Sequence, residues 1–297
     1  MHKCSNNVIA SVAKQSLVWT LMGDNKLTKL INILKDMQSA VLAYSGGVDS
    51  SFLLKALQIS GIRALAVTSV SDKTPRHDLR TAKRIAAELG IEHWMIETDE
   101  LSMEEFVRNM PVRCFFCKEE LYKKLTDIAA SGGYKYLLDG SNTDDTLDFR
   151  PGMEAATKYN VSSPLIEAGF SKKEIRELSR QLGLPTWDKP SSPCLSSRFP
   201  YGQRITREAL QRVEKAEDFL REIGFWEVRV RDHDGVARIE VGAGEIDLVL
   251  TPERRRLISE KLKSLGYKFV SLDLDGYIMG SMNRAIEDFT TFDQNGR

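Results

Sequence analysis

The chain has 297 residues, of which 42% are hydrophobic and 28% are charged, a composition that is typical of folded globular proteins and excludes disordered and fibrous classes. Its 42 lysine and arginine residues balance 42 aspartate and glutamate residues. A neutral chain has no long-range attraction for nucleic acid or anionic membranes, so any anion that it binds must be held by a local pocket. No apolar run approaches the roughly 18 residues that a membrane helix needs.

The first 22 residues favour a leader followed by a first helix over a secretory signal peptide. Lys14 and Gln15 interrupt the apolar stretch, and no small-residue cleavage site follows it. The chain has 4 cysteines, which are too few for a disulfide framework at this length. We therefore expect a cytoplasmic protein that does not span a membrane, with cysteines that are thiols, thiolates or metal ligands.

From about Ala40 to Asp139, short apolar or β-branched runs alternate with longer stretches of helical spacing. Strands are predicted over 39–45, 63–71, 93–99 and 134–140, and helices over 48–61, 76–90 and 118–133. Strand and helix in turn indicate a parallel sheet with right-handed crossovers. The predicted fold class is α/β, with a Rossmann-like parallel sheet whose ligand loops lie at the carboxyl ends of the strands.

The pattern loosens between residues 140 and 201, where most of the prolines lie. One helix is predicted there, over 171–183, because Ser171 and Glu174 form a capping-box pattern at its start. After Gly202 the pattern changes to helix, two strands joined by a turn at 233–235, helix and strand. We expect a first domain over 1–202 and a smaller α+β domain over 203–297 that serves substrate binding or oligomerisation.

The segment 43–51, Ala-Tyr-Ser-Gly-Gly-Val-Asp-Ser-Ser, lies between the first predicted strand and helix. Two adjacent glycines let the backbone turn tightly and approach a ligand, and the helix start adds unpaired N–H groups. Ser45 and Ser50 can direct hydroxyls to the same place, so the segment predicts an anion cradle. No Gly-Lys-Ser/Thr follows, which separates it from a Walker A loop. Asp49 would repel a polyphosphate unless a divalent cation intervened, so Mg²⁺ is the expected companion.

The alternative to an anion cradle is a plain strand-to-helix turn in which Asp49 caps the helix. We favour the cradle because the motif 45–50 resembles the signature of the PP-loop ATP pyrophosphatase family. Members of that family hold the pyrophosphate of ATP while AMP is transferred to an oxygen atom. The resemblance implies ATP and Mg²⁺, with backbone near Thr68 against the adenine. The expected nucleotide-binding residues are Ala43, Ser45, Gly46, Gly47, Val48, Asp49, Ser50, Thr68, Gly140 and Asn142.

Cys114 and Cys117 form a C-x-x-C pair just ahead of a predicted helix, and Cys194 follows in a separate loop. The pair has metal-ligand spacing, and Cys194 would supply a third thiolate. Structural zinc needs four ligands, and no histidine offers a fourth by spacing, whereas a 4Fe-4S cluster tolerates three. A thioredoxin-like redox pair and inert buried thiols are the other interpretations. We favour the cluster over both.

Five segments together resemble the LarE family of ATP-dependent sulfurtransferases; they are 45–55, 113–118, 139–156, 163–202 and 228–233. The likeness extends from about residue 25 to 277. It implies that ATP adenylylates a carboxylate of pyridinium-3,5-biscarboxylic acid mononucleotide and that sulfur then displaces AMP. The product of the family leads to the nickel-pincer nucleotide cofactor of lactate racemase, so other enzymes of that biosynthesis are expected partners. The family also assembles as multimers, which implies a homo-oligomer here.

Two sources of sulfur occur in that family. Single-cysteine members give up the sulfur of the cysteine that matches Cys194, whereas three-cysteine members bind a 4Fe-4S cluster that carries a labile sulfide. Because all three cysteines are present here, we favour the cluster, with sacrifice of Cys194 as the alternative. The resemblance implies Cys114, Cys117 and Cys194 as metal ligands and Cys194, Asp49 and Arg198 as catalytic residues.

The substrate is an anionic mononucleotide, so arginines are expected to bind it. Arg229 and Arg231 are two residues apart on a predicted strand, which places both on one face, although that face could equally be a solvated edge. The expected substrate contacts are Ser197, Arg198, Arg229, Arg231 and Glu240. A tRNA-thiolating PP-loop enzyme is the second functional hypothesis. It should carry a basic face, and the neutral charge argues against one, so no nucleic acid is expected as a partner.

Overall fold

The computed structural model describes residues 25–147 and 151–281, so the predicted leader and first helix lie outside the described residues. The chain forms two compact units, and each is described by itself. The first contains the residues up to Val70 together with Arg76–Glu97 and Lys118–Ser191; the second contains Ser71–Pro75, Thr98–Cys117 and the residues from Ser192 onwards. In the described part, no helix has both the length and the apolar character needed to cross a membrane. The domain boundary at residue 202 stays a prediction.

The first unit is built on a parallel sheet. Its strands are β1 (Ser39–Ala43), β2 (Arg63–Val70), β3 (Glu92–Glu97), β4 (Tyr136–Leu138) and β5 (Val161–Ser162). Its helices are α1 (Asn25–Met37), α2 (Val48–Ser60), α3 (Arg76–Leu89), α5 (Arg113–Gly132, which begins in the residues of the second unit), α6 (Pro151–Lys158), α7 (Pro164–Ala168) and α8 (Lys172–Gln181). The strand order is β3-β2-β1-β4-β5, and every pairing is parallel. The prediction of an α/β fold with a parallel sheet is confirmed.

The strand order determines where a ligand can bind. The chain moves outwards from β1 to β2 and β3 on one side, and β4 and β5 lie on the other side. In open α/β sheets the crevice at this reversal, beyond the carboxyl ends of the strands, is the usual binding place. Here it lies between β1 and β4, whose residues Leu42 and Leu138 are register partners. The loop after β1 and the loop after β4 therefore meet at one edge of the sheet.

The core of the first unit fixes the sheet and the helix that follows β1. Helix α1 buries Leu27, Leu30, Ile31 and Leu34, a spacing that places one apolar stripe against the core. Helix α2 is buried along most of its length, and its Phe52 contacts Phe170 edge to face at 5.3 Å between ring centres. Because α2 is packed so completely, its N-terminus cannot shift relative to the sheet without disturbing the core.

The second unit combines helices with a three-stranded sheet. Its helices are α4 (Glu104–Val107), α9 (Arg207–Glu222), α10 (Ile246–Val249) and α11 (Pro252–Ser264), and its strands are β6 (Val228–His233), β7 (Val236–Val241) and β8 (Phe269–Leu272). Strands β6 and β7 form the predicted hairpin, and β8 adds to β7 in parallel. Asp234 and Gly235 both have positive φ, +48° and +91°, as a two-residue hairpin turn that follows the twist of the strands requires.

One structural prediction was wrong and bears on the site. Helix α5 begins at Arg113, not at residue 118, so Cys114 and Cys117 lie in its first turns and not ahead of it. Pro111 stands just before this start, where its missing N–H removes no helical hydrogen bond, and Arg113 N–H already donates to Met110 O at 2.9 Å. The two cysteines are therefore held on a helix, roughly one turn apart.

Candidate active site

The loop between β1 and α2 has the geometry of an anion cradle. Gly46 has φ +69°, and a Cβ at this position would lie 2.8 Å from the Cβ of Ala82, so both backbone conformation and space require glycine. Gly47 occupies the N-cap position of the helix and has no side chain with which to cap its N-terminus. The first N–H groups of a helix have no partner within the helix, and they carry the positive end of its dipole. The loop can therefore present backbone donors to an anion.

Two further features border this loop. The hydroxyls of Ser45 and Ser50 are 3.1 Å apart, and Ser45 Oγ also accepts from Gly47 N–H at 3.3 Å. Gly140, in the loop after β4, approaches so closely that an added Cβ would lie 3.0 Å from the backbone nitrogen of Ser50. The structure thus brings together the predicted residues Ala43, Ser45, Gly46, Gly47, Val48, Asp49, Ser50 and Gly140.

Thr68 and Asn142 use their side chains within the protein. Thr68 donates to the Tyr44 carbonyl at 2.7 Å and lies 2.8 Å from Nε2 of His93. The amide oxygen of Asn142 accepts from Asp144 N–H at 3.0 Å, and this side chain is almost fully buried. Both residues therefore stabilise the loops around the crevice, and their contacts with a nucleotide stay predictions.

Asp49 lies in the first turn of α2 and forms an ion pair with Lys172. Burial raises the pKa of Asp49 above its ordinary value, while the charge of Lys172 acts in the opposite direction. The second carboxylate oxygen, Oδ1, is buried and has no hydrogen-bond partner among the described residues. A buried carboxylate oxygen of this kind fits a hard cation such as Mg²⁺, which prefers oxygen ligands. Asp49 is therefore the residue of the loop that can hold the metal.

Lys189 is a second lysine at the loop, and sequence reasoning missed it together with Lys172. Its Nζ lies 2.6 Å from Oδ1 of Asp78 and 3.1 Å from the carbonyl oxygen of Gly46. The two lysines are 123 and 143 residues away in sequence from the loop residues that they contact. The only sequence signal was their place in the proline-rich stretch after β4, where functional loops are common.

The three cysteines belong to the second unit. Cys114 is exposed, whereas Cys117 and Cys194 are partly buried, and the three are thiols that take no part in a disulfide among the described residues. Cys194 immediately precedes the short 3₁₀ helix Leu195–Arg198. Burial raises the pKa of Cys117 to about 12, and the charges of Cys194 and Cys114 act in the same direction. Cys114 and Cys117 share helix α5, and Leu195, which follows Cys194, donates its N–H to the Lys73 carbonyl close to Cys117. A shared metal or cluster on the three thiols stays a prediction.

A buried ion pair adjoins these thiols. Lys73 Nζ lies 2.7 Å from Oε1 of Glu100, and both side chains are less than one-tenth exposed. The same Glu100 oxygen is 3.9 Å from Cys117 Sγ, and the Lys73 carbonyl accepts from Leu195 N–H at 2.8 Å. Burial alone would lower the pKa of Lys73, but attraction from Cys117, Glu100 and Cys194 raises it above its ordinary value. Lys73 therefore supplies positive charge beside the sulfurs.

The thiols are not arranged as a site for a single ion. Within 25–147 and 151–281, no group of three or more His, Cys, Asp or Glu side chains is placed to hold a metal ion. A cluster with four iron atoms is larger than one ion, so its thiolate ligands stand farther apart. The chemistry of three thiols beside a lysine still fits an iron–sulfur cluster, whose ligands are thiolates.

Arg198 is fully buried and bound entirely by groups of the protein. Its guanidinium forms a bidentate pair with Glu217 at 2.7 and 3.0 Å. Its NH1 group donates to the carbonyl oxygens of Pro193 and Cys194 at 2.8 and 3.2 Å, and to Ser197 Oγ at 2.9 Å. Burial opposes ionisation of Glu217, but Arg198 holds the pKa of that carboxyl well below its usual range. The arginine therefore fixes the loop that carries Cys194.

Three of the predicted substrate residues lie on the β6–β7 hairpin, whereas Ser197 lies in the 3₁₀ helix Leu195–Arg198. Arg231 pairs with Glu240 at 2.6 Å and donates to the Ser197 carbonyl at 3.0 Å. Arg229 stacks on the ring of Tyr277, with 4.7 Å between its guanidinium carbon and the ring centre. Both arginines are almost fully buried, so the predicted strand is not a solvated edge. Contacts of Ser197, Arg198, Arg229, Arg231 and Glu240 with a substrate stay predictions.

The parallel sheet and the glycine loop at its reversal point define a PP-loop protein. No protein-family model matches the chain. It is 42% identical over 266 residues to an uncharacterized protein of Synechocystis. This match covers 89% of this chain and 99% of that protein. The chain is 38% identical over 261 residues to the pyridinium-3,5-bisthiocarboxylic acid mononucleotide synthase of Lactiplantibacillus plantarum. This match covers 87% of this chain and 94% of that protein. The chain belongs to the family of this synthase, the LarE family, and is an enzyme.

More distant relatives support the wider superfamily. The chain is 26% identical over 256 residues to the tRNA-specific 2-thiouridylase MnmA of Wolbachia pipientis, which covers 71% of this chain and 67% of that protein. The identity is lower, and the shares covered are smaller, than for the synthase. The likeness therefore supports the PP-loop fold, and it fits the tRNA-thiolation hypothesis less well.

Proposed function

We propose that the protein is an ATP-dependent sulfurtransferase that converts a carboxylate of pyridinium-3,5-biscarboxylic acid mononucleotide into a thiocarboxylate. One observation carries the proposal. A chain of the synthase family has both an anion cradle at the sheet edge of its first unit and three thiols in its second unit. We place the enzyme in nickel-pincer nucleotide biosynthesis, which supplies lactate racemase. We further expect a cytoplasmic homo-oligomer without a nucleic-acid partner.

The first half-reaction activates the carboxylate. A carboxylate oxygen of the substrate attacks the α-phosphorus of ATP, the bond to the β-phosphate oxygen breaks, and pyrophosphate leaves. The backbone N–H groups at the start of α2 and the hydroxyls of Ser45 and Ser50, which border the loop, would stabilise the charge on the departing pyrophosphate. Asp49 would hold Mg²⁺, which when bound neutralises phosphate charge.

The second half-reaction transfers sulfur. A sulfur nucleophile attacks the carbonyl carbon of the acyl adenylate, the bond to the AMP oxygen breaks, and the thiocarboxylate forms. AMP is a far better leaving group than oxide, which is why activation must come first. Arg198 keeps the Cys194 loop in place through the carbonyl oxygens of Pro193 and Cys194. A fixed loop lowers the entropic cost of bringing sulfur to the activated carbon.

We propose that Cys114, Cys117 and Cys194 hold a 4Fe-4S cluster, which when bound supplies a labile sulfide as the sulfur donor. Support comes from the pair of Lys73 and Glu100, which lies 3.9 Å from Cys117 Sγ and whose Lys73 carbonyl binds Leu195 N–H beside Cys194. The positive charge of Lys73 would offset that of the thiolates. The alternative donor is the sulfur of Cys194 itself, which would leave dehydroalanine behind.

The two donors are separated by one anaerobic experiment. Protein reconstituted with iron and sulfide should contain about four irons per chain and absorb in the visible range. Its intact mass is then measured after turnover with ATP, Mg²⁺ and the dicarboxylate mononucleotide. A chain of unchanged mass, with thiocarboxylate formed, supports the cluster. A chain lighter by the mass of H₂S at Cys194 contradicts it and supports sacrifice.

A further inference from the structure

Two lysines from outside the glycine loop converge on it in the first unit. Lys172 is the first residue of α8, and its ammonium group pairs with Asp49 in the first turn of α2. Lys189 pairs with Asp78 at 2.6 Å and reaches the Gly46 carbonyl at 3.1 Å. Both ammonium groups therefore lie beside the loop that presents backbone donors to an anion.

The present partners of the lysines leave the loop poorly suited to a polyphosphate. Two lysines and two aspartates give these four side chains no net charge. Asp49, in the first turn of α2, also keeps a negative charge beside the loop where phosphate would bind. Polyphosphate carries several negative charges, so it would compete with the aspartates for the two ammonium groups. Its arrival would thus release the Asp49 carboxylate, whose Oδ1 has no hydrogen-bond partner within the described ranges.

Replacing the aspartates by phosphate as partners of the two ammonium groups requires little rearrangement. The Lys172 and Lys189 side chains are 33% and 16% exposed, so each ammonium group is close to solvent on a flexible stem. The pair of Lys172 and Asp49 is the more open of the two, and an ion pair that is open to water contributes little to stability. Lysine is a common phosphate-binding residue because its ammonium can turn its three donors towards any oxygen.

We propose that Lys172 and Lys189 are phosphate-binding residues of the nucleotide site, and that Asp49 and Asp78 hold their ammonium groups in place until ATP arrives. On arrival the lysines bind the β- and γ-phosphates, and Asp49 becomes available to Mg²⁺. The inference rests on the proposed ATP-dependent function and adds to it the groups that recognise the pyrophosphate portion.

The test is calorimetry on the full-length protein with three probes, a non-hydrolysable ATP analogue, pyrophosphate and AMP, each with Mg²⁺. Lys172→Met and Lys189→Met should each weaken binding of the analogue and of pyrophosphate at least tenfold. AMP lacks the β- and γ-phosphates, so its affinity should stay within twofold of the wild type. Lys189→Arg keeps the charge and should recover part of the loss. Lys158→Met, which removes an exposed pair with Glu119, is the matched control and should change nothing.

Lys189→Met removes the ammonium partner of the buried Asp78, which weakens folding. The double variant Lys189→Met, Asp78→Asn removes both charges, and it should show the same loss of affinity with a wild-type unfolding temperature. Wild-type affinity for pyrophosphate in the folded lysine variants would overturn the phosphate-binding role of the two lysines and would leave the proposed function standing. Failure of the wild-type protein to bind the ATP analogue at all would overturn the inference together with the proposed function.

Discussion

At the scale of single residues, the burial of Arg198 shows what this side chain does within the protein. The sequence predicts a contact between Arg198 and the substrate, because the substrate implied by the family is an anion. In the structure its guanidinium is bound by Glu217 and by backbone oxygens of the Cys194 loop. Glu217 could not be found from the sequence, because it lies on a helix whose acidic residues look like those of any solvated face. A buried arginine must be paired, and the fold decides which carboxylate pairs with it.

The thiol of Cys117 provides a test at the same scale. Its pKa is raised to about 12 by burial, with Lys73 acting in the opposite direction. At pH 8 the folded apoprotein should alkylate Cys117 about a thousandfold more slowly than the urea-unfolded chain, because an ordinary thiol has a pKa near 8.5. The rate should rise steadily with pH up to about 12. Mass spectrometry of iodoacetamide-labelled peptides measures it.

Lys73→Met should slow the labelling of Cys117 further, since it removes the charge that favours the thiolate. Arg204→Met removes an exposed pair with Glu104 in the same unit and serves as the control. Equal labelling rates in the folded and unfolded chains would show that the Cys117 thiol is not buried beside these charges.

At the scale of elements, the central strands and helices could be predicted because their signals are local. Apolar runs of strand length and stripes of helical spacing each repeat within a few residues. The predicted start of α5 was too late because Val112, which precedes Arg113, is not one of the residues that mark a helix start. The short helices α6 and α7 were also missed, since both begin with a proline that reads as loop but is tolerated in a first helical turn.

The loop between β1 and α2 can be tested with a matched pair of glycines. Gly46 and Gly61 both have left-handed backbone, with φ +69° and +72°, but only Gly46 has a neighbour that an added Cβ would strike. Gly61→Ala should cost about 1 kcal/mol of unfolding free energy from backbone strain alone. Gly46→Ala should cost more and abolish binding of the ATP analogue. Denaturant unfolding and calorimetry measure the two effects. Wild-type nucleotide affinity in Gly46→Ala would contradict the cradle.

At the scale of the whole molecule, the fold class and the family could be inferred from the sequence because several motifs agree. The pairs Lys172 with Asp49 and Lys189 with Asp78 could not, because they join residues more than a hundred positions apart and depend on the packing of α8 and of the loop after it. The pair of Lys73 and Glu100 beside Cys117 is nearer in sequence, but no local pattern joins these two residues either. Charged side chains have no periodic signal of their own, so their partners emerge only when the chain is folded.

The central claim is that ATP activates a carboxylate by adenylylation before sulfur is delivered. It is tested most directly by counting products after anaerobic reaction with ATP, Mg²⁺ and pyridinium-3,5-biscarboxylic acid mononucleotide. We predict one AMP and one pyrophosphate for each thiocarboxylate group formed, with no pyrophosphate when the mononucleotide is omitted and greatly reduced release in Asp49→Asn. Formation of ADP and phosphate, or pyrophosphate release that is unchanged in Asp49→Asn, would contradict the account.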